Sequence, residues 1–564
     1  MIKNILNFIL SYSSPKEKKK IILVFCLSAV NIFLQLSLII IVYLLISKFL
    51  DISDDNLSFG FFGRIIFNLD NKSFFAIAFT ILFLSIIINS IFIHQSFKRL
   101  SILTRNIEQI IFQKFIFKKY EFYKNVKSYE IVKIVIDNLP RLTLGIFNPI
   151  LVLFTNFITF LSIIAALSLV NFFYTFAVSI GLILLVIILF YAVKNIITEL
   201  NKRESKSITE RTNLSLNAFN SFREIKIFNL FDKSNFDFNR ASDIYYKSKY
   251  KSNFILNFPK YLIEYIFLIG IFTFFLFFDF NGKVYNNLPI IGFILMAVYR
   301  LIPCFSSTLS SISNLKSNYI FFKIIKDELN KSDNELEVNS SKKEKINIQK
   351  ISLNNLNFFY GKNIIFKSFN LHLSKNDKIF LSGDTGSGKS TLLDILSGLN
   401  VSFDGKLILN DDIKLTHENV NFLRERVSYS TQNPYIFEAS IKENIVLFDH
   451  NPDIEKLNEI LKITKVDEIL KNKKVNLEEK ITEKGINFSG GEKQRINIAR
   501  SLYKDFDILI LDESTNSLNE KLEEEIINNI IRYCNNKILI VCSHNLSLKK
   551  FFSNELHIDK LRIN

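Results

Sequence analysis

The chain of 564 residues contains no tryptophan and only four cysteines. Cys26, Cys304, Cys534 and Cys542 form no Cys-x-x-Cys pair, and two of them lie in apolar segments. This spacing gives no sign of a metal site or of a disulfide framework. We expect the cysteines to be small buried hydrophobic side chains.

Long stretches of the first 320 residues contain almost no charge. Hydrophobic residues make up 49% of the chain, and the mean hydropathy is +0.22. A helix needs about 20 apolar residues to cross the hydrocarbon core of a bilayer. Six runs are long enough, at residues 21–48, 74–95, 146–169, 172–193, 261–280 and 288–312.

The net charge of +16 is explained better by a membrane than by nucleic acid. Segments 96–145 and 194–260 contain ten and thirteen basic residues. The loops at the opposite ends of the spans, 49–73, 170–171 and 281–287, contain only Arg64, Lys72 and Lys283. Basic loops stay in the cytoplasm, so both termini and both long segments are predicted to be cytoplasmic. Six spans exclude a soluble protein that acts on DNA or ribosomes.

The two long cytoplasmic segments keep helical apolar spacing, which predicts two helical hairpins with tips near 119–128 and 218–228. Two further stripes predict short amphipathic helices. Ile2, Ile5, Leu6 and Ile9 indicate an interfacial helix before the first span. Phe62, Ile65, Ile66 and Leu69 predict a helix in the first outer loop, which lies on the outer leaflet, contacts a lipid tail or packs on a neighbouring span.

Arg300 is an unusual residue because it lies about twelve residues into the sixth span. A lipid-facing arginine at that depth costs several kcal/mol, so the side chain is expected to face a cavity or a partner. Its planar guanidinium suits phosphate or carboxylate. A structural pair with Glu264 or with backbone carbonyls is the alternative.

After a polar linker at 327–346, strand and helix patterns alternate, which predicts an α/β domain. A GxxxxGK[ST] motif follows the apolar strand 378–381 and opens a helix, as a phosphate-binding loop does. Its backbone N–H groups and Lys389 would hold phosphates, and Ser390 would bind Mg²⁺. The predicted loop consists of Gly383, Asp384, Thr385, Gly386, Ser387, Gly388, Lys389, Ser390 and Thr391.

A second apolar strand, residues 508–511, ends in two carboxylates. Asp512 is predicted to bind Mg²⁺ and Glu513 to polarise the attacking water. The segment Ser489, Gly490, Gly491 and Glu492 precedes this strand. It resembles the signature motif of ATP-binding-cassette (ABC) ATPases, which touches ATP held by a second copy of the domain.

The resemblance to ABC ATPases covers residues 350–550 and implies further roles. Tyr360 matches the aromatic residue that stacks on adenine, and Gln432 matches the glutamine that reaches Mg²⁺ and contacts the coupling helices. His544 matches the histidine that contacts the γ-phosphate. Residues 482–485 resemble the exporter-type loop before the signature. The implied cofactors are therefore ATP and Mg²⁺.

Two positions depart from the family pattern. The signature ends in Glu492 rather than glutamine. The loop after the strand 508–511 ends in Asn519, where the family usually has aspartate. The loss of that charge predicts weaker communication between two ATP sites.

The order of parts resembles an ABC exporter half-transporter of the type I-like (type IV) fold, and Phe222–Lys226 resembles the element before its second coupling helix. The implied fold is an α-helical membrane domain, with six transmembrane helices and long cytoplasmic extensions, fused to an α/β P-loop ATPase. The predicted domains are 1–326, a linker 327–346 and 347–564. The implied partners are a second copy of the chain, in a homodimer, and membrane lipids; no nucleic acid is expected.

The segment around Arg300 and the predicted outer-loop helix resemble the bacterial flippase for lipid-linked oligosaccharides of N-linked protein glycosylation. That resemblance implies a polyprenyl-pyrophosphate glycan as cargo, with Arg300 and Lys260 as cations for its pyrophosphate. Ser85 is uncharged where another cation is expected. Lipid A-type lipids, peptides or drugs are alternative cargoes, and a non-transporting ABC partner subunit is a rival from another class. The expected location is the bacterial inner membrane, with the ATPase domain in the cytoplasm.

Overall fold

The computed structural model describes residues 1–49, 69–170, 172–277, 288–331, 346–360, 363–481 and 487–559. The chain forms two compact units. The helical unit comprises Met1–Ile116 and Ser128–Lys331, and the α/β unit comprises Phe117–Lys127 and Ser332–Asn564. A short stretch between two long helices therefore belongs to the α/β unit.

Long helices dominate the helical unit. One of them, over residues 128–170, contains π-helical turns over Ile134–Asn138 and Thr143–Phe147. The helices of this unit are α1 (Ile2–Ser11), α2 (Pro15–Phe49), α3 (Asn71–Ile116), α5 (Ser128–Val170), α6 (Phe172–Asn220), α7 (Phe222–Ile227), α8 (Phe231–Phe277) and α9 (Leu288–Asn330). Helix α4 (Tyr120–Asn125) lies in the α/β unit.

The predicted spans fall on the six long helices, α2, α3, α5, α6, α8 and α9, within the part of the chain that the structure describes. Four helical stretches there are long and apolar enough to cross a membrane: Pro15–Phe49, Asn71–Ile116, Ser128–Ser168 and Ile291–Asn330. Two of the breaks between helices fall at the predicted hairpin tips, where the short helices α4 and α7 lie.

The helical unit is held by apolar packing and by a few polar contacts between helices. Helix α2 packs against α3, α5 against α9, and α6 along α8. Tyr43 and Leu44 of α2 are buried with Phe293 of α9 in one apolar cluster. Gly292 lets α9 approach α2, because a Cβ there would lie 2.4 Å from the Ile46 side chain. Small residues at such crossings are usual between membrane helices.

Two sequence expectations in this unit need correction. Helix α1 exists, but its buried face is Ile5, Phe8 and Ile9 rather than the stripe that included Ile2 and Leu6. Phe8 packs edge-on against Phe322 of α9, with the ring centres 5.0 Å apart. Cys26 is exposed, although Cys534 and Cys542 are buried as expected.

The predicted linker begins inside a helix. Helix α9 continues to Asn330, because Ile325 and Leu329 near its end are still buried on its apolar face. Residues 332–345 lie outside the described part of the chain, and so do 62–68 of the predicted outer-loop helix and the exporter-type loop 482–485.

The α/β unit contains two sheets in the described ranges. The strands are β1 (Lys350–Tyr360), β2 (Asn363–Ser374), β3 (Lys378–Gly383), β4 (Asp404–Leu409), β5 (Ile413–Lys414), β6 (Val427–Ser430), β7 (Ile508–Asp512), β8 (Ile538–Cys542) and β9 (Asn554–Ile558). The four-stranded sheet is antiparallel with the order β2-β1-β4-β5, and the five-stranded sheet is parallel with the order β6-β7-β8-β3-β9.

Helices cover the parallel sheet. They are α10 (Lys389–Leu396), α11 (Asn421–Arg426), α12 (Ile441–Val446), α13 (Ile454–Ile463), α14 (Val466–Lys473), α15 (Gly490–Tyr503), α16 (Glu520–Tyr533) and the 3₁₀ helix Leu546–Phe551. Successive side chains of a strand point to opposite faces of the sheet. A parallel sheet is buried on both faces, so both sets of side chains are apolar. Leu509 and Leu511 of β7 point into one core, and Ile508 and Ile510 point into the other.

The topology explains where a site forms. Parallel strands end at one edge of the sheet, and the loops after their carboxyl ends are the usual place for ligands. Here β3 leads into the glycine-rich loop, β6 is followed by Gln432, β7 ends at Asp512 and β8 is followed by His544. Residues far apart in sequence are thus brought to the same edge.

Candidate active site

The glycine-rich loop has the backbone that phosphate binding requires. Gly383, Gly386 and Gly388 have φ values of 144°, 80° and 104°. A Cβ at Gly383 would lie 2.3 Å from the carbonyl oxygen of Ile558. The loop leads directly into α10, whose first residue is Lys389. Backbone N–H groups at the start of a helix favour an anion.

Two side chains of the loop face inward. Lys389 is buried, and its Nζ donates hydrogen bonds to the carbonyls of Gly383 at 2.7 Å and Asp384 at 2.9 Å. Ser387 Oγ is buried with no hydrogen-bond partner among the described residues. An orphaned hydroxyl beside a buried ammonium suits a triphosphate. Asp384, Thr385, Gly386 and Ser390 are exposed, and Thr391 is buried in α10.

Asp512 is a buried carboxylate at the end of β7. Tyr429 Oη of β6 donates to its Oδ2 at 2.9 Å. Burial raises the pKa of Asp512, and the Tyr429 hydrogen bond opposes that effect. Burial beside Asp512 also raises the pKa of Tyr429, so the phenol stays protonated and remains a donor. The sequence motif does not indicate Tyr429, because it lies on another strand.

Three side chains hold the Glu513 carboxylate. Gln432 Nε2 donates to Oε2 at 2.5 Å, and Asn516 Nδ2 donates to the same oxygen at 3.0 Å. His544 Nε2 lies 2.9 Å from Oε1. Glu513 has a φ of 47°, which is rare for a side-chain-bearing residue and marks local backbone strain. The structure thus brings the predicted Gln432, Glu513 and His544 together and adds Asn516.

The signature segment forms the start of α15. Ser489 Oγ accepts from Glu492 N at 3.3 Å, and Glu492 Oε2 accepts from Ser489 N at 2.6 Å. This reciprocal pair is a capping box, which glutamate and glutamine complete equally well. The departure at Glu492 is therefore accommodated, and Lys473 balances its charge at 3.3 Å. Ser489 and Gly490 are exposed at this helix N-terminus.

The signature lies against the loop that precedes α16. A Cβ at Gly491 would lie 2.9 Å from the carbonyl oxygen of Ser517, which leaves no room for a side chain. Gln494 Oε1 accepts from Ser517 N at 2.9 Å. Asn519 caps α16 by accepting from Leu522 N at 2.9 Å. Asparagine caps a helix as well as aspartate does, so Asn519 keeps this structural function without the charge.

Tyr360 ends β1 and is 44% exposed, so part of its side chain is accessible. Lys124 Nζ of helix α4 donates to the Tyr360 hydroxyl at 3.2 Å. The predicted adenine-stacking residue is thereby connected to a part of the chain that sequence reasoning assigned to the membrane domain.

The structure describes only some of the side chains predicted to bind cargo in the helical unit. Arg300 of α9 is partly buried, and its Nη1 donates to Gln35 Oε1 of α2 at 3.3 Å. Ser85 is buried and donates to the carbonyl of Leu82. Lys260 belongs to α8, but its side chain lies outside the described part of the chain.

Both halves of the chain match known protein families. Residues 21–278 match the family model of the ABC transporter transmembrane region, and residues 366–516 match the ABC transporter family model. Both domains are those of an ABC transporter. The ATPase domain of such transporters uses ATP with Mg²⁺.

Curated relatives of this ABC transporter share part of their length with it. A probable ABC transporter ATP-binding/permease protein of Haemophilus influenzae is 34% identical over 200 residues, or 36% of each chain. The microcin-J25 export ATP-binding/permease protein McjD of Escherichia coli is 33% identical over 199 residues, or 35% of this chain and 34% of McjD. The matched stretch thus spans about a third of these relatives.

The fold of the ABC transporter is similar to that of a bacterial Atm1-family ABC exporter solved with ATP bound. The TM-score is 0.75 at 17% identity, over 96% of this chain and 94% of the other. This likeness covers the helical membrane unit as well as the ATPase and shows the shared exporter fold.

Proposed function

We propose that this ABC transporter is an ATP-driven exporter whose ATP hydrolysis powers export across a membrane. The observation that carries the proposal is that Gln432 and His544 both contact the Glu513 carboxylate. The same unit contains a complete phosphate loop. This geometry serves ATP hydrolysis, and a non-transporting ABC partner subunit is the alternative from another class. The fusion to six long helices couples the site to a membrane.

Glu513 is the proposed general base, which orients and polarises water. Gln432 and Asn516 fix its Oε2, so Oε1 is oriented toward His544. Lys389 and the N–H groups of the loop hold phosphate oxygens, and Ser390, Gln432 and Asp512 are the residues that would hold Mg²⁺. Bound Mg²⁺ supplies charge neutralisation at the phosphates.

A second copy of the chain completes each ATP site in this proposal. Ser489 and Gly490 are exposed at the N-terminus of the 14-residue helix α15, where backbone N–H groups favour an anion. The exposed segment is therefore available to phosphates held by the loop of another copy. A symmetric homodimer satisfies both sites at once. The short helices α4 and α7 are the proposed elements that transmit its closure.

The proposed cargo is a lipid-linked oligosaccharide or a related glycolipid, moved from the cytoplasmic to the outer leaflet of a bacterial inner membrane. Arg300 supports an anionic headgroup: a guanidinium has five N–H groups, and the described contact with Gln35 uses one. Lys260 is the proposed second cation. Lipid A-type lipids, peptides and drugs remain alternative cargoes.

Reconstitution tests the function. Proteoliposomes containing the wild-type chain should hydrolyse ATP and move a fluorescent polyprenyl-pyrophosphate glycan between leaflets only when ATP is present. Glu513→Gln proteoliposomes serve as the matched control. ATP hydrolysis without movement of any tested amphiphile would contradict the exporter proposal, and movement of another amphiphile alone would contradict the glycan.

A further inference from the structure

Lys124 connects helix α4 to two parts of the ATPase at once. Its Nζ lies 2.6 Å from Asp394 Oδ2 and donates to the Tyr360 hydroxyl at 3.2 Å. The same ammonium lies 5.8 Å from the centre of the Tyr360 ring and 5.3 Å from that of Tyr120. All of these contacts lie within the α/β unit.

Asp394 ties this contact to the phosphate loop. It lies on α10, the helix that begins with Lys389, and the residue is only 7% exposed. A buried carboxylate that loses its cationic partner is costly, so the ion pair holds α4 on α10. Burial alone lowers the pKa of Lys124, but its hydrogen bonds to Asp394 and Tyr360 raise the pKa overall. The ammonium is therefore charged at neutral pH.

The contact with Tyr360 restricts the ring. The hydroxyl of an otherwise 44% exposed tyrosine is fixed by a charged donor, and the ammonium also lies within reach of the ring electrons. A ring held in one orientation loses less entropy when a base stacks on it. Loss of Lys124 removes this restraint and leaves the edge-on contact of the Tyr360 ring with Phe358 at 5.0 Å.

We propose that Lys124 is a positioning residue for nucleotide recognition, holding Tyr360 in the orientation that stacks on adenine while Asp394 anchors it to the phosphate-loop helix. The inference rests on the proposed adenine role of Tyr360. Linkage requires the effect to be reciprocal: adenine that stabilises this orientation also strengthens the attachment of α4. Occupancy of the base site is thus sensed directly by a cytoplasmic helix between α3 and α5.

The test is a double-mutant cycle on the full-length protein in nanodiscs. Lys124→Gln should raise the KM for ATP roughly three- to tenfold, with kcat changed less than about twofold, because a positioning contact is lost. In a Tyr360→Ala background the same change should have little further effect. Lys124→Arg, which retains a charged donor, should restore most of the affinity. Lys414→Gln, an exposed lysine on β5, is the matched control.

Each result decides the inference. An equal rise in KM in both backgrounds would mean that Lys124 has only a structural role, and an unchanged KM in Lys124→Gln would mean that it has none; both overturn the proposal. If Tyr360→Ala leaves the KM for ATP unchanged, the adenine assignment itself is wrong. Failure of the exporter proposal is distinguishable, because it concerns cargo movement and not the KM for ATP.

Discussion

His544 Nε2 lies 2.9 Å from Glu513 Oε1, although the two residues follow different strands of the parallel sheet. Strands β7 and β8 are neighbours, and Glu513 N donates to the carbonyl of Cys542 at 2.8 Å. The backbone thus fixes the spacing of the two side chains. This pair is the geometric centre of the proposed hydrolytic site.

Replacing Glu513 by glutamine should abolish turnover. Glutamine keeps the size and can still face Gln432, but it cannot accept a proton, so kcat should fall about a hundredfold or more. The measurement is ATP hydrolysis by purified protein, with nucleotide binding checked separately. Glu520→Gln, at an exposed position near the start of α16, should retain wild-type turnover. Equal rates for wild type and Glu513→Gln would disprove the assignment.

Asp507→Asn should destabilise the α/β unit by about 1–3 kcal/mol at pH 7. Asp507 accepts from Arg426 Nε at 2.8 Å and Nη2 at 2.7 Å, and from Ile348 N at 2.7 Å. Thermal unfolding of the full-length chain measures the difference. Asp505→Asn, whose side chain is 83% exposed and pairs with Lys456, should cost far less.

The Asp507 effect should depend on pH in one direction. Burial alone raises the pKa of Asp507, but the hydrogen bonds from Arg426 and Ile348 lower it overall. A carboxylate with a lowered folded pKa contributes its full stability above the unfolded pKa and loses it as pH falls through the folded value. The difference between wild type and Asp507→Asn should therefore shrink in acid. A difference that grew in acid would contradict the assigned ion pair.

If Arg300 contacts the proposed glycolipid cargo, Arg300→Ala should reduce the amount of glycolipid moved per ATP hydrolysed by about tenfold or more, because a charged hydrogen-bond donor set is removed. Both rates are measured in the same proteoliposomes. Arg300→Lys keeps the charge without the planar fork and should restore only part of the movement. An unchanged ratio in Arg300→Ala would rule out contact with an anionic headgroup.

The sequence predicts those parts of this fold that depend on local pattern. Six apolar runs predict the long helices because span length is set by the bilayer, and the glycine-rich loop predicts its own backbone. The capping function of Asn519 and the hydrogen bond from Tyr429 to Asp512 depend on tertiary neighbours, so no local pattern indicates them. The buried face of α1 depends on Phe322, far along the chain.

The boundary between domains was the least predictable feature. The chain order predicts that Lys124 belongs to the membrane half, because it lies between two apolar spans. The structure groups it with the α/β unit through a buried aspartate on α10. Hydropathy is a property of neighbouring residues in the sequence, whereas a compact unit is defined by contacts between residues that are distant in sequence.

Mixed assemblies test most directly whether two copies build each ATP site. One copy carries Lys389→Ala. The other carries Ser489→Asp, which preserves the helix cap but sets a negative charge against phosphate. The two copies carry different tags and are purified through both.

If each site combines Lys389 of one copy with Ser489 of the other, the mixed assembly retains one intact site, and its ATP hydrolysis should reach up to about half of the wild-type rate. Assemblies of either variant alone should be inactive. A mixed assembly as inactive as the two parents would contradict a site shared between copies.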